Sequence, residues 1–149
     1  SNAPGLRSGF VAGEPRLINA FRTLRNYGGA AVPLPLLAAS AVLWRDDNHA
    51  EQNRMMYRAK FDRADQLLGG KFGYYRPKGG FYLWLDVADG EDAARRLWTE
   101  GGIRVIPGAY LARPGQDGTN PGNRYVRIAL VQDPEIIDGA LTRMVEILT

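Results

Sequence analysis

The sequence predicts a mixed α/β (α+β) fold in which helices come first and a β-α-β-β-α unit follows from about residue 72. Three observations predict it. From Arg16 to Tyr27 apolar residues recur at three- and four-residue steps, the helical period. Paired glycines at 28–29 and 69–70 punctuate the first half of the chain. After Pro77, Gly79 and Gly80 the pattern changes to β-prone runs rich in aromatic and branched residues. A small sheet covered by helices on one face is expected, with the first half of the chain attached as an incomplete lobe.

In chain order, "RSGFVA" (7–12) reads as a short strand ended by Gly13, Glu14 and Pro15. Pro15 suits the first turn of a helix that carries Leu17, Ile18, Phe21 and Leu24 on one side and stops at Gly28 and Gly29. After Pro35, "PLPLLAASAVLW" is nearly free of charge and predicts a helix buried on most sides. Such a helix needs cover, so an exposed apolar patch is expected wherever cover is missing. Asn48 and Glu51 have the spacing of a capping box for the next helix, which runs to Leu68. "FYLWLDV" (81–87) is a strand, "EDAARRLWTEGG" a short amphipathic helix, "IRVIPG" a strand broken by Pro107, and "RYVRIALV" a further strand. "ARPGQDGTNPGN" reads as a surface loop. Asp133 and Pro134 start a last helix whose apolar side is Ile137, Leu141, Val145 and Ile147.

Composition excludes several function classes. The 149 residues, 45% hydrophobic, suffice for one ordinary domain with a core. No apolar run reaches membrane-spanning length and no signal-peptide pattern opens the chain, so a cytoplasmic protein without a membrane partner is expected. Without cysteine there is no disulfide framework or thiolate zinc site, and a single His49 argues against a histidine metal site, so no metal is expected. The net charge of +3 is interleaved with sixteen acids rather than clustered, which argues against a nucleic-acid partner. Only Lys60, Lys71 and Lys78 are lysines, so a charged donor in a site here is almost always arginine. Ser1 to Ala3 read equally as native residues or as the remnant of a cleaved tag.

The most informative stretch is "NRYVRIALV". Strand alternation puts Val126, Ile128 and Leu130 on one face and Tyr125, Arg127 and Ala129 on the other. No acid follows Arg127 until Asp133. Spacing alone leaves two readings open: Arg127 sits on a solvated face, or it awaits an external anion. Arg7 by itself reads as a surface residue.

The segments "PGLRSGFVAG", "PKGGFYLWLDV", "IRVIPGAYLARPG" and "NPGNRYVRIALV", in this order, resemble the C-terminal part of aminotransferases of the type I pyridoxal-phosphate fold. Within that family "PGAYLARPG" and "NPGNRYVRIALV" are most similar to bacterial N-succinyldiaminopimelate aminotransferases. The resemblance implies a small C-terminal domain with a short, mainly antiparallel sheet at residues 71–149, linking helices at 33–70, and the tail of a large cofactor domain at 1–32. It implies pyridoxal 5'-phosphate as cofactor, amino-acid and keto-acid substrates, and a homodimer in the full-length protein. The chain is then expected to begin just after the lysine that carries the cofactor, to lack any catalytic residue of its own, and to be inactive alone.

The family's phosphate-binding arginine matches Arg7 and its substrate-carboxylate arginine matches Arg127. Both anions present paired oxygens suited to a planar fork of donors. Gly80 would let backbone approach the distal arm of the substrate, a turn before a strand explaining it equally well. Tyr110 and Arg113 would line the entrance and sense a distal carboxylate, against the reading of an ordinary loop. The segment "NYGGAAVPLP" would lie near a subunit boundary. The implied reaction passes an amino group from glutamate to N-succinyl-2-amino-6-ketopimelate. The rivals are an aminotransferase for aspartate, alanine or an aromatic amino acid, a non-catalytic module binding a small anion through Arg127, and a basic nucleic-acid binder.

Overall fold

The structure is a computed structural model that describes residues 3–29 and 31–149. Ser1 and Asn2 of the possible tag remnant, and Ala30 of "NYGGAAVPLP", lie outside the described residues. The chain divides into two compact units, residues 1–54 and 55–149.

In the first unit a single 3-10 turn, Pro4–Leu6, is followed by Arg7 at φ 51° and by irregular backbone to residue 14. The strand expected at 7–12 does not form. A strand needs a partner for its amides and carbonyls, and among the described residues none pairs with this segment. Helix α1, Pro15–Gly28, begins at its proline as expected, yet Leu17, Phe21 and Leu24 are exposed. Helix α2, Leu34–Arg45, buries only Ser40, whose hydroxyl donates to the Leu36 carbonyl at 2.6 Å. Leu34, Leu37, Val42 and Trp44 are exposed, so α2 is not buried on most sides and shows the apolar patch expected of an uncovered helix.

Helix α3, Asp47–Leu68, is capped by Asp46 and not by the Asn48–Glu51 box. The Asp46 carboxylate accepts from the amides of Asn48 at 3.0 Å and His49 at 3.4 Å, while Glu51 pairs with Arg54. A charged acceptor just before the helix both satisfies free amides and meets the positive end of the helix dipole.

The second unit holds the sheet. Strands β1 (Tyr82–Asp86) and β3 (Tyr125–Ala129) pair antiparallel, and β2 (Ile106–Pro107) adds to the other side of β3, giving the order β1-β3-β2. β2 is only two residues long because Pro107 has no amide to donate. Between β1 and β2 lies α4, Gly90–Gly101, and after β3 comes α5, Pro134–Leu148. Leu83, Leu85 and Val126, with Leu130 just beyond β3, form the buried sheet face predicted by alternation. They pack with Phe61, Ala64 and Leu68 of α3, Ala93 and Leu97 of α4, and Ile137, Leu141 and Met144 of α5. Helices therefore cover one face, and Tyr82, Trp84, Tyr125 and Arg127 lie on the other.

The start of α4 is fixed by Asp89, whose carboxylate accepts from the amides of Glu91 at 3.1 Å and Asp92 at 3.0 Å. Asp89→Ala is expected to lower stability by about 1 kcal/mol, read as a shifted midpoint in a urea melt with unchanged slope.

Candidate functional site

Arg127 is the middle residue of the middle strand. It stands opposite Trp84 on β1 and opposite Ile106 on β2. The side chain is half-buried, and its Nε is enclosed with no hydrogen-bond partner. Its guanidinium carbon lies 4.6 Å from the centre of the Tyr82 ring and 5.9 Å from that of Phe81. Among the described residues Arg127 makes no hydrogen bond or ion pair. Arg124, just before the strand, contrasts with it by meeting Asp86 at 3.0 Å. A fork of donors that is positively charged, flanked by rings and free of any carboxylate has the chemistry to pair with an anion. Spacing left two readings open, a solvated arginine and one awaiting an external anion; the side chain is half-buried with its terminal nitrogens unpaired, which is compatible with both.

The surroundings of Arg127 are held from several sides. Trp84 stacks on Tyr125 with ring centres 5.5 Å apart and planes 22° apart. Gly108 and Gly122 pack back to back: a Cβ on Gly122 would sit 2.3 Å from the Gly108 oxygen, and one on Gly108 would sit 2.6 Å from the Gly122 oxygen. Asn120 clasps the same pair of segments, donating through Nδ2 to the Ala109 carbonyl at 3.0 Å and accepting from the Gly122 amide at 2.8 Å. The loop read from sequence as a plain surface connection is therefore pinned at its "NPGN" end. The repeated Pro-Gly pairs were the available signal, because glycine permits backbones to touch.

Lys60 was also missed. It is 3% exposed, and its Nζ donates to the carbonyls of Leu130 at 2.9 Å and Gln132 at 2.6 Å, over the ring of Tyr57. It thus ties α3 to the chain leaving β3. Nothing in its helical spacing signals this role.

The segment leading into β1 is anchored by charge. Tyr74 donates its hydroxyl to Asp65, and Arg76 donates to Asp62 at 2.7 Å and also to Asp65. The Tyr74 bond, with help from Arg76, holds the Asp65 carboxyl below the usual carboxylate range, while burial and Asp65 push the Tyr74 hydroxyl up. A carboxyl lowered on folding stabilises the fold above its unfolded pKa, and this contribution is lost as pH falls through the folded value. Asp65→Asn is therefore expected to lower the melting temperature near pH 7 but to converge with the wild type in acid, in thermal melts from about pH 7 down to about pH 2.

The remaining predicted residues are placed as follows. Gly80 has φ 102°, a backbone conformation that side-chain-bearing residues rarely adopt, so the turn into β1 itself requires glycine. Tyr110 lies in the 3-10 turn Gly108–Leu111, 70% exposed, in a groove of about 300 Å³ with Glu91, Trp98, Arg104 and Pro107. The Glu91 carboxylate of α4 beside its hydroxyl raises its pKa. This groove is lined along α4 by Glu91, Ala94, Arg95 and Trp98. Arg113 is exposed on the following loop. Arg7 belongs to the first unit and is exposed, its Nη1 reaching only the Pro4 carbonyl at 3.4 Å. Lys71 bonds the Leu67 carbonyl at 3.2 Å, and Lys78 is exposed in the segment before β1. Among the described residues no helix is long and apolar enough to cross a membrane.

Comparison with known proteins agrees with this architecture. A family profile for aminotransferase class I and II matches residues 1–143. The solved structure of an aminotransferase from Neisseria meningitidis superposes with a TM-score of 0.83 at 42% identity, covering all of this chain and 38% of that one. The 4-dedimethylamino-4-oxo-anhydrotetracycline transaminase OxyQ of Streptomyces rimosus is 34% identical across 97% of this chain and 38% of its own length. The LL-diaminopimelate aminotransferase of Natranaerobius thermophilus is 28% identical across 97% of this chain and 37% of its own. The chain thus spans little more than a third of the length of these relatives. With a profile match across nearly all of its residues, the chain belongs to the class I and II aminotransferase family.

Proposed function

We propose that this chain is the C-terminal part of a pyridoxal-phosphate-dependent aminotransferase, cytoplasmic and homodimeric in its full length, in which Arg127 clamps the α-carboxylate of the amino-acid and keto-acid substrates. The observation that carries the reading is the unpaired guanidinium of Arg127 at the centre of the sheet, in a chain of this family. A clamped carboxylate fixes how the substrate is turned, and so which bond at its α-carbon lies in position to break.

Arg7 fits the cofactor's phosphate: its guanidinium is exposed and makes only one long bond, so its paired donors are available to paired oxygens. Pyridoxal phosphate, when bound, supplies the electron sink for charge developing at the substrate's α-carbon. The lysine that partners this cofactor has no counterpart in Lys60, whose ammonium is engaged by two carbonyls, nor in Lys71 or Lys78. It is assigned to sequence preceding Ser1, and the 149 residues alone are proposed to be inactive.

For the substrate we favour glutamate as donor and N-succinyl-2-amino-6-ketopimelate as acceptor. The "PGAYLARPG" and "NPGNRYVRIALV" segments support this choice, and the LL-diaminopimelate aminotransferases among the relatives support a diaminopimelate skeleton without bearing on the succinyl group. The test is amino transfer by the full-length gene product from glutamate to this acceptor, beside oxaloacetate, pyruvate and an aromatic keto acid. The succinylated acceptor is expected to give the highest kcat/KM. A higher value for another acceptor would move the substrate, and no transfer to any would overturn the aminotransferase reading.

A further inference from the structure

The enclosed Nε of Arg127 raises a question that carboxylate binding alone does not answer. An arginine can meet a carboxylate along its Nε–Nη edge or with its two terminal nitrogens. Here Nε is buried without a partner, whereas the terminal nitrogens make no bond and are not enclosed. The cause of this orientation is on the neighbouring strand. The Tyr82 ring lies nearest the guanidinium, at 4.6 Å, and Phe81 stands edge-on to Tyr82 at 5.6 Å and 87°. Phe81 in turn meets Tyr57 of α3 at 6.4 Å. A cation is drawn to the face of such a ring, and the ring's own position is fixed by the rings behind it. Tyr82 sits opposite Ala129 in the register, so no bulky side chain there competes with the guanidinium for its face.

We propose that Tyr82, buttressed by Phe81 and Tyr57, is the positioning residue that turns Arg127 so that its two terminal nitrogens, and not its Nε edge, receive the substrate carboxylate. The inference rests on the reading of Arg127 as the carboxylate clamp. It is the ring face that acts, since no hydrogen bond joins the Tyr82 hydroxyl to Arg127. Tyr82 is 42% exposed, so its replacement leaves the core untouched.

The test uses the full-length gene product and glutarate, a dicarboxylate without an amino group, with binding measured by calorimetry, alongside KM and kcat for glutamate. Tyr82→Leu is expected to weaken glutarate binding and raise KM about tenfold while kcat changes much less, and Tyr82→Phe to stay within about twofold of the wild type. Amide spectra of the variants confirm that the fold is kept. Unchanged glutarate affinity in Tyr82→Leu overturns the inference, as does a Tyr82→Phe variant as impaired as the leucine one, which would assign the effect to the hydroxyl. If Arg127→Ala binds glutarate as the wild type does, or the wild type binds none, the Arg127 reading itself fails and takes the inference with it.

Discussion

Gly122→Ala is expected to destabilise the 55–149 unit by about 3 kcal/mol or more. The added methyl would stand 2.3 Å from the Gly108 oxygen, 2.5 Å from its carbonyl carbon and 2.9 Å from the Ala109 nitrogen. All three are backbone atoms, so no side chain can rotate out of the way. Relief requires the "NPGN" and "PGAY" segments to separate, which breaks the Asn120 clasp and disturbs the Trp84–Tyr125 stack against which Gly108 rests. Gly139 in α5 is the control: a methyl there meets open space, and Gly139→Ala is expected to add up to about 1 kcal/mol. Urea melts of the two variants should shift in opposite directions. A Gly122→Ala midpoint within error of the wild type would show that the two segments are not held in contact.

In the full-length gene product, on the proposed aminotransferase reading, Arg127→Ala is expected to lower kcat/KM for glutamate by about 10²- to 10³-fold, with stability nearly unchanged. The size follows from the loss of charge-assisted paired hydrogen bonds to an ion in a half-enclosed place. Stability is spared because Arg127 makes no hydrogen bond or ion pair that the fold depends on. Arg127→Lys keeps the charge but loses the planar fork, and an intermediate loss is expected. Steady-state kinetics with glutamate and with a substrate lacking the α-carboxylate separate the clamp from general damage, because the variant should handle the second no worse than the wild type does.

How much of this was legible in the sequence differs by element. The second unit was read well because its signals are local and redundant: "FYLWLDV" is a dense β-prone run, "RYVRIALV" alternates, and proline opens α5 while glycine closes α4. The first unit was read less well for a physical reason. The "RSGFVA" segment has strand composition, but strand formation is decided by a partner, and composition does not supply one. The α2 sequence announced burial that the described residues do not provide. Cap choice turned on a single charge, with Asp46 winning over Asn48.

The site divides in the same way. Arg127 could be found because alternation places it on a defined face. Its lack of a carboxylate and its bed of aromatic rings required coordinates. Lys60 and Asn120 act on backbone carbonyls and amides far away in sequence, and such contacts leave no local pattern to read.

The measurement that tests the central claim most directly is the near-visible absorbance of the full-length gene product with pyridoxal phosphate, recorded through a glutamate titration for the wild type and Arg127→Ala. The account predicts a band from the bound cofactor that glutamate converts in the wild type, while the variant binds cofactor normally but needs roughly a hundredfold more glutamate to respond. A variant that responds at the wild-type glutamate concentration would contradict the assignment of Arg127 as the carboxylate clamp.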